Sequence, residues 1–275
     1  MMANNNRDKV PLVAYMRSKG LRLFFMADLT DGLSRGEEPP QLRALGRSIT
    51  ETAIQQLYRD YVTAFVQLLE PDYIGLASET NLIRKIAPAN VYTAVVQAAN
   101  DAAGDLEAIH ATAPILISVQ VETAWGVLGG DGTFEGIDTD IVDFPFAQAL
   151  GLSSYPYFGF AQPDDIPDDY YSRLLAGISL PAMVVEGGWI SNSVGAITSS
   201  QDTQARYIAL QADLLDSISA KAVIQTLFAD IDISSLPLPI PDNLSLFTTL
   251  GLMNENFGAK QALDVWDNSF ARQKQ

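Results

Sequence analysis

Two acidic residues stand where chemistry is expected. The run Ala182-Met183-Val184-Val185-Glu186-Gly187-Gly188-Trp189 reads as a short strand buried on both faces that ends on a carboxylate. The run Tyr73-Ile74-Gly75-Leu76-Ala77-Ser78-Glu79 repeats the pattern and continues into Thr80-Asn81. A charge at the tip of a buried strand is costly unless something uses it. Two such carboxyl groups about 5 to 5.5 Å apart, one attacking an anomeric carbon and one exchanging a proton with the leaving oxygen, cleave a glycosidic bond with retention. The plain alternative for either glutamate is a strand-end group that caps a helix or meets solvent.

Around this pair the sequence offers supporting groups. Tyr155 leaves the tip of the strand before the Glu186 strand and is placed to hold that carboxylate ionised and oriented. Trp125 and Trp189 offer flat apolar faces on which a sugar ring can stack, and Tyr157 and Phe228 are further aromatic candidates. Asp28, Asn81, Gln120 and Glu122 end strands or follow them closely and have the hydrogen-bonding groups that hydroxyls need. For each of these, ordinary packing or strand-end hydrogen bonding is the competing explanation.

The elements that must position these residues alternate along the chain. Strands are predicted at Leu21–Ala27, in the run from Tyr73 that ends on Glu79, and at Ile115–Val121, Ala149–Ser154, Met183–Val185 and Ala222–Phe228. Helices are predicted at Val10–Ser18, in one long run from Gln41 to Leu69, from about Pro88 to Leu106, briefly from Asp165 to Leu175, from Ser200 to Ser219 and from Ala259 to Ala271. Residues 123–148 read mainly as a long loop. Six strand–helix units in unbroken alternation imply a parallel sheet with right-handed crossovers. The class is therefore α/β, a TIM-barrel-like (β/α) barrel that is incomplete at six units, formed by residues 1–275 as one domain. A doubly wound sheet is disfavoured, since Gly187-Gly188 lacks the spacing of either nucleotide-binding fingerprint.

Composition narrows the partners. The 275 residues are 48% hydrophobic and 18% charged, with a formal charge of −16. Such acidity argues against nucleic acid and anionic membrane surfaces, and suits a neutral polar ligand such as a carbohydrate. With no cysteine and a single histidine, His110, there is no disulfide, thiolate or His-rich metal site, and no cofactor or metal is expected. No apolar run is long enough to span a membrane. The polar start Met1 to Asp8 lacks a signal-peptide core, so localisation stays open between a cytoplasmic protein and a secreted one whose leader is absent.

The chain resembles a clan A glycoside hydrolase, nearest to the endo-β-1,4-galactanases and related β-glycanases, over residues 9–272. The likeness rests on Glu79 and Glu186 at two strand ends, on Glu186-Gly187-Gly188-Trp189, on Ser153-Ser154-Tyr155-Pro156-Tyr157, and on Lys260-Gln261-Ala262 with Trp266. It implies Glu79 as acid/base, Glu186 as nucleophile and Tyr155 as the nucleophile's hydrogen-bond partner. Three departures stand out. Ser78 occupies a position usually held by asparagine, Phe228 lies where relatives place a stacking tryptophan, and the first two barrel strands, with the arginine the second supplies, have no counterpart. Missing strands expose sheet edges, so a homo-oligomer paired through them is expected. A barrel that binds sugar with impaired turnover is the second reading, and a metal-dependent or phosphate-binding barrel is the third.

Overall fold

The computed structural model describes the backbone of residues 2–271 and the side chains of residues 10–269 and 271. Met1 and residues 272–275 lie outside the described residues, so the polar start is seen only as backbone in helix α1 (Met2–Ser18), and the likeness is seen only to residue 271. Five parallel strands form one sheet in sequence order: β1 (Phe24–Met26), β2 (Tyr73–Ala77), β3 (Ile115–Gln120), β4 (Ala149–Ser154) and β5 (Ala182–Gly187). Every residue of β3 and β4 is buried, as expected of apolar runs covered on both faces. Helices α2 (Pro40–Ala44) and α3 (Thr52–Leu69) lead from β1 to β2, and α4 (Thr80–Ile86) and α5 (Ala89–Ala108) lead from β2 to β3. Helices α6 (Val121–Ala124) and α7 (Asp138–Asp143) precede β4, while α8 (Gln201–Ser217) and α9 (Gln261–Ala271) follow β5. The architecture is an incomplete TIM-barrel-like α/β fold.

The expected count of six units needs correction. Residues 221–226 run beside β5, with Lys221 N–H donating to Ala182 O and Ile224 N–H to Val184 O, each at 2.9 Å. Yet they form one parallel bridge, Val184 with Val223, rather than a strand. The Thr226 hydroxyl takes the Gly187 N–H at 2.7 Å, and Gln225 Nε2 donates to Leu250 O at 2.6 Å. Past the bridge the Gly187 N–H thus meets a side-chain hydroxyl in place of a backbone carbonyl.

The chain divides into two compact units. The first comprises residues 1–119 and 138–151. Its core is the inner face of α3 (Ile54, Tyr58, Val62, Phe65, Val66, Leu69) and of α5, whose Ala94, Ala98, Ala99 and Ala102 allow close approach. The Phe25 ring stacks on Phe65 with centroids 3.8 Å apart, and Tyr58 OH donates to Leu76 O at 2.6 Å. The single helix expected from Gln41 to Leu69 is broken. Gly46 takes φ +61, and the Glu51 carboxylate accepts from Ser48 N–H at 2.7 Å just ahead of α3. Helix α4 was not anticipated, since its seven residues are too few to show a period.

The second unit comprises residues 120–137 and 152–275. Here α8 packs on α9 and buries Tyr207, Ile208, Gln211, Ala212 and Leu214. The helix expected from Asp165 to Leu175 is instead a 3-10 turn at Pro163–Asp165 followed by further turns, with Tyr170 and Tyr171 fully buried. Behind Glu186, an added Cβ on Gly187 would lie 2.3 Å from Ser154 O, in a backbone region (φ +157) that side chains rarely adopt. Gly187→Ala is therefore expected to destabilise the protein by roughly 1–3 kcal/mol. Urea unfolding checks this, and an unchanged midpoint would contradict the close approach.

Candidate active site

In the first unit, polar side chains gather where β1 and β2 end. The loop after β1 turns tightly at Asp31, whose Oδ1 accepts from Leu33 N–H at 3.0 Å, and brings Arg35 back into the protein. Arg35 is 6% exposed. Its Nε donates to Glu79 Oε2 at 2.6 Å, its Nη1 pairs with Asp28 Oδ2, and its Nη2 donates to Ser78 Oγ at 3.2 Å. Glu79 itself is buried and sits at φ +51, a left-handed conformation that costs a non-glycine residue of order 1 kcal/mol. Its N–H donates to Ser118 Oγ at 2.9 Å, and its carbonyl takes the Leu82 and Ile83 N–H groups that open α4. A strained acidic residue locked at a strand tip is a common mark of a functional position. Beyond it, Thr80 and Arg84 both bond the fully buried Asp140, whose carboxyl is raised by burial and lowered in turn by Arg84.

In the second unit, Glu186 is half-buried at the end of β5. The two peptide groups after it are fixed: Gly187 N–H donates to the Thr226 hydroxyl, and Gly188 N–H donates to Ser154 O at 3.1 Å. Tyr155 OH lies 3.0 Å from Thr226 Oγ1, so the tyrosine and that turn share a hydroxyl. Deeper lies Glu122, with no exposed surface. Tyr170 OH and Gln120 Nε2 donate to its two carboxylate oxygens, and Ser154 Oγ lies 3.5 Å from Oε1. Tyr171 OH donates to Ser154 Oγ at 3.0 Å. Burial drives the Glu122 carboxyl up to about 7, against the pull of these donors.

No protein-family model matches the chain, and no curated protein sequence does. Solved structures do. The GH53 catalytic domain of Ignisphaera aggregans is similar at a TM-score of 0.61 and 15% identity, over 95% of this chain and 77% of that one. A β-glucosidase from Exiguobacterium marinum gives 0.62 at 12% identity, over 97% and 78%. An exo-β-1,4-mannosidase from Opitutaceae bacterium strain TAV5 gives 0.69 at 16% identity, and the chain spans about half of its length (49%). The fold is that of the clan A glycoside hydrolases.

Against that fold, the sequence candidates separate by accessibility. Glu79 belongs to the first unit and Glu186 to the second. Asp28 is exposed and ion-paired to Arg35, and Phe228 is 60% exposed. Asn81, Gln120 and Glu122 are buried, with Asn81 Oδ1 accepting from Leu82 N–H and Gln120 Oε1 from Thr123 N–H. Trp189 has no exposed surface. Its indole N–H donates to Ser199 Oγ at 3.0 Å, and its ring lies against Tyr207. Trp125 is stacked on Tyr170 and crossed by Arg173, and Tyr157 OH donates to Leu246 O at 3.1 Å. Arg35 was missed. The only sequence signal for it was a lone cation in the loop between Asp28 and Glu37, and nothing local links it to Glu79. Among the described residues no cluster of His, Asp and Glu is placed to hold a metal ion, and no helix is long and apolar enough to cross a membrane.

The Glu122 environment predicts a pH dependence. Its neighbouring titratable groups, Tyr170, Tyr171 and Tyr207, have phenols raised by burial, Tyr171 to about 12, so they stay protonated donors at neutral pH. The Glu122 carboxyl is raised in the folded state from an ordinary 4.5 to about 7. Stability from this group is thus fully present below about pH 4.5 and is lost as pH rises through about 7. Relative to Glu122→Gln, the wild type should lose about 3 kcal/mol across that window. Urea unfolding of both proteins from pH 4.5 to 8 measures it, and a difference independent of pH would refute the assignment.

Proposed function

We propose that the chain is a retaining β-glycoside hydrolase acting on a β-linked oligo- or polysaccharide. The observation that carries this reading is that two glutamates, Glu79 two residues past β2 and Glu186 near the end of β5, occur in a fold shared with β-glycosidases. In the proposed mechanism the Glu186 carboxylate attacks the anomeric carbon as the Glu79 carboxyl protonates the departing oxygen. Glu79 then takes a proton from water, which displaces Glu186 from the glycosyl-enzyme. Tyr155 orients the nucleophile, directly or through Thr226, which holds the peptide after Glu186. Asp28 and Phe228 are the accessible candidates for contacts with sugar hydroxyls and ring faces. Asn81, Gln120, Glu122, Trp125, Tyr157 and Trp189 would support the site from beneath rather than touch the sugar.

One observation favours a second reading, a sugar-binding barrel with impaired turnover. The acid role requires a protonated carboxyl, whereas Glu79 Oε2 accepts a charged hydrogen bond from Arg35. Hydrolysis of a panel of aryl β-glycosides and β-glycans distinguishes the two. Glu186→Ala should abolish turnover. Glu79→Ala should slow substrates with poor leaving groups about 10²–10⁴-fold and spare those with good ones. Glycan binding by an inactive wild type would establish the second reading, and neither binding nor hydrolysis would overturn both.

We further propose that the protein self-associates through its strand edges. Supporting this, among the described residues β1 pairs only with β2, and Ile224, next to the Val184–Val223 bridge, is exposed. Phe25 of β1 is covered by Phe65 and adds no apolar surface to that edge. Light scattering at micromolar concentration should find a dimer or larger, and a monodisperse species near 29.8 kDa would exclude it.

A further inference from the structure

We infer that Glu122 is a positioning residue, whose buried carboxylate fixes the backbone around Glu186 through Ser154 and Tyr155. A carboxylate with no exposed surface is retained at a cost of several kcal/mol unless its lone pairs are filled. Those of Glu122 are filled by Tyr170 OH, Gln120 Nε2, Ser154 Oγ and the main-chain N–H of Tyr155. With the Glu122 main-chain N–H as a fifth, donors converging in this number on one group demand an acceptor with two oxygens, which a carboxylate supplies and an amide does not. Two of these donors belong to consecutive residues, Ser154 and Tyr155, at the end of β4.

These same two residues hold the turn after the proposed nucleophile. The Ser154 carbonyl accepts from Gly188 N–H at 3.1 Å, and Gly187 approaches that carbonyl too closely to bear a side chain. The Tyr155 hydroxyl meets Thr226 Oγ1, which takes the Gly187 N–H. Both peptide groups following Glu186 are therefore anchored to a segment whose own backbone and side chain are tied to Glu122. The carboxylate touches no substrate in this arrangement. It sets where the Glu186 side chain starts from, and a displacement of about 1 Å at a reacting group costs about a hundredfold in rate.

The catalytic consequence rests on Glu186 being the nucleophile, but the anchoring does not, and the test separates them. In Glu122→Gln, the Gly187 and Gly188 amides should exchange with deuterium at least about tenfold faster than in wild type, with α8 amides unchanged. On an aryl β-glycoside, kcat should fall about 10–100-fold with KM within about twofold. Tyr170→Phe keeps the carboxylate and removes one donor, so it should move both readouts in the same direction by less. It also carries the comparison if Glu122→Gln does not fold. Unchanged exchange at Gly187 and Gly188 in a folded variant would overturn the inference. An inactive wild type would overturn the glycosidase reading, while the exchange comparison would still decide the anchoring.

Discussion

A parallel sheet covered on both faces dictates where polar chemistry can sit in this protein. Along β3 and β4 every side chain is buried and the backbone groups are spent on neighbouring strands. Polar side chains can enter only where a strand ends, and once there they must satisfy one another, because water is scarce. Arg35 with Asp28 and Glu79, and Glu122 with its tyrosines and Ser154, are two solutions to that constraint.

The two solutions have different physical characters. Around Glu79 the compensation is charge against charge, a guanidinium shared between two carboxylates with hydroxyls filling its remaining N–H groups. Such an arrangement fixes Glu79 firmly and accounts for how a left-handed backbone is tolerated at that tip. Around Glu122 the compensation is by neutral donors, so burial outweighs it and the group titrates near neutrality. Lys260 and Asp230 lie between these extremes. Burial lowers the lysine and raises the aspartate, while their 2.5 Å contact opposes both shifts, and Ser191 Oγ and Gly251 N–H complete the pair. That pair ties the start of α9 to the chain beyond β5 and is cohesive rather than chemical in character.

The sequence by itself located five of the strands, though not all of their ends. Apolar runs at Tyr73, Ile115, Ala149 and Ala182 suit strands buried on both faces, and their alternation with amphipathic helices pointed to a parallel sheet and left few topologies. Glu79 and Glu186 were legible because a carboxylate ending an apolar run stands out against its neighbours. Tertiary structure alone decided what surrounds them. Arg35 reaches Glu79 across 44 positions, Tyr170 reaches Glu122 across 48, and neither pairing leaves a periodic trace. Trp189 read as a platform and lies wholly inside, since a residue's type says what it can do and packing decides whether a ligand can reach it. The sixth strand shrank to one bridge, past which the Gly187 N–H meets the Thr226 hydroxyl in place of a backbone carbonyl.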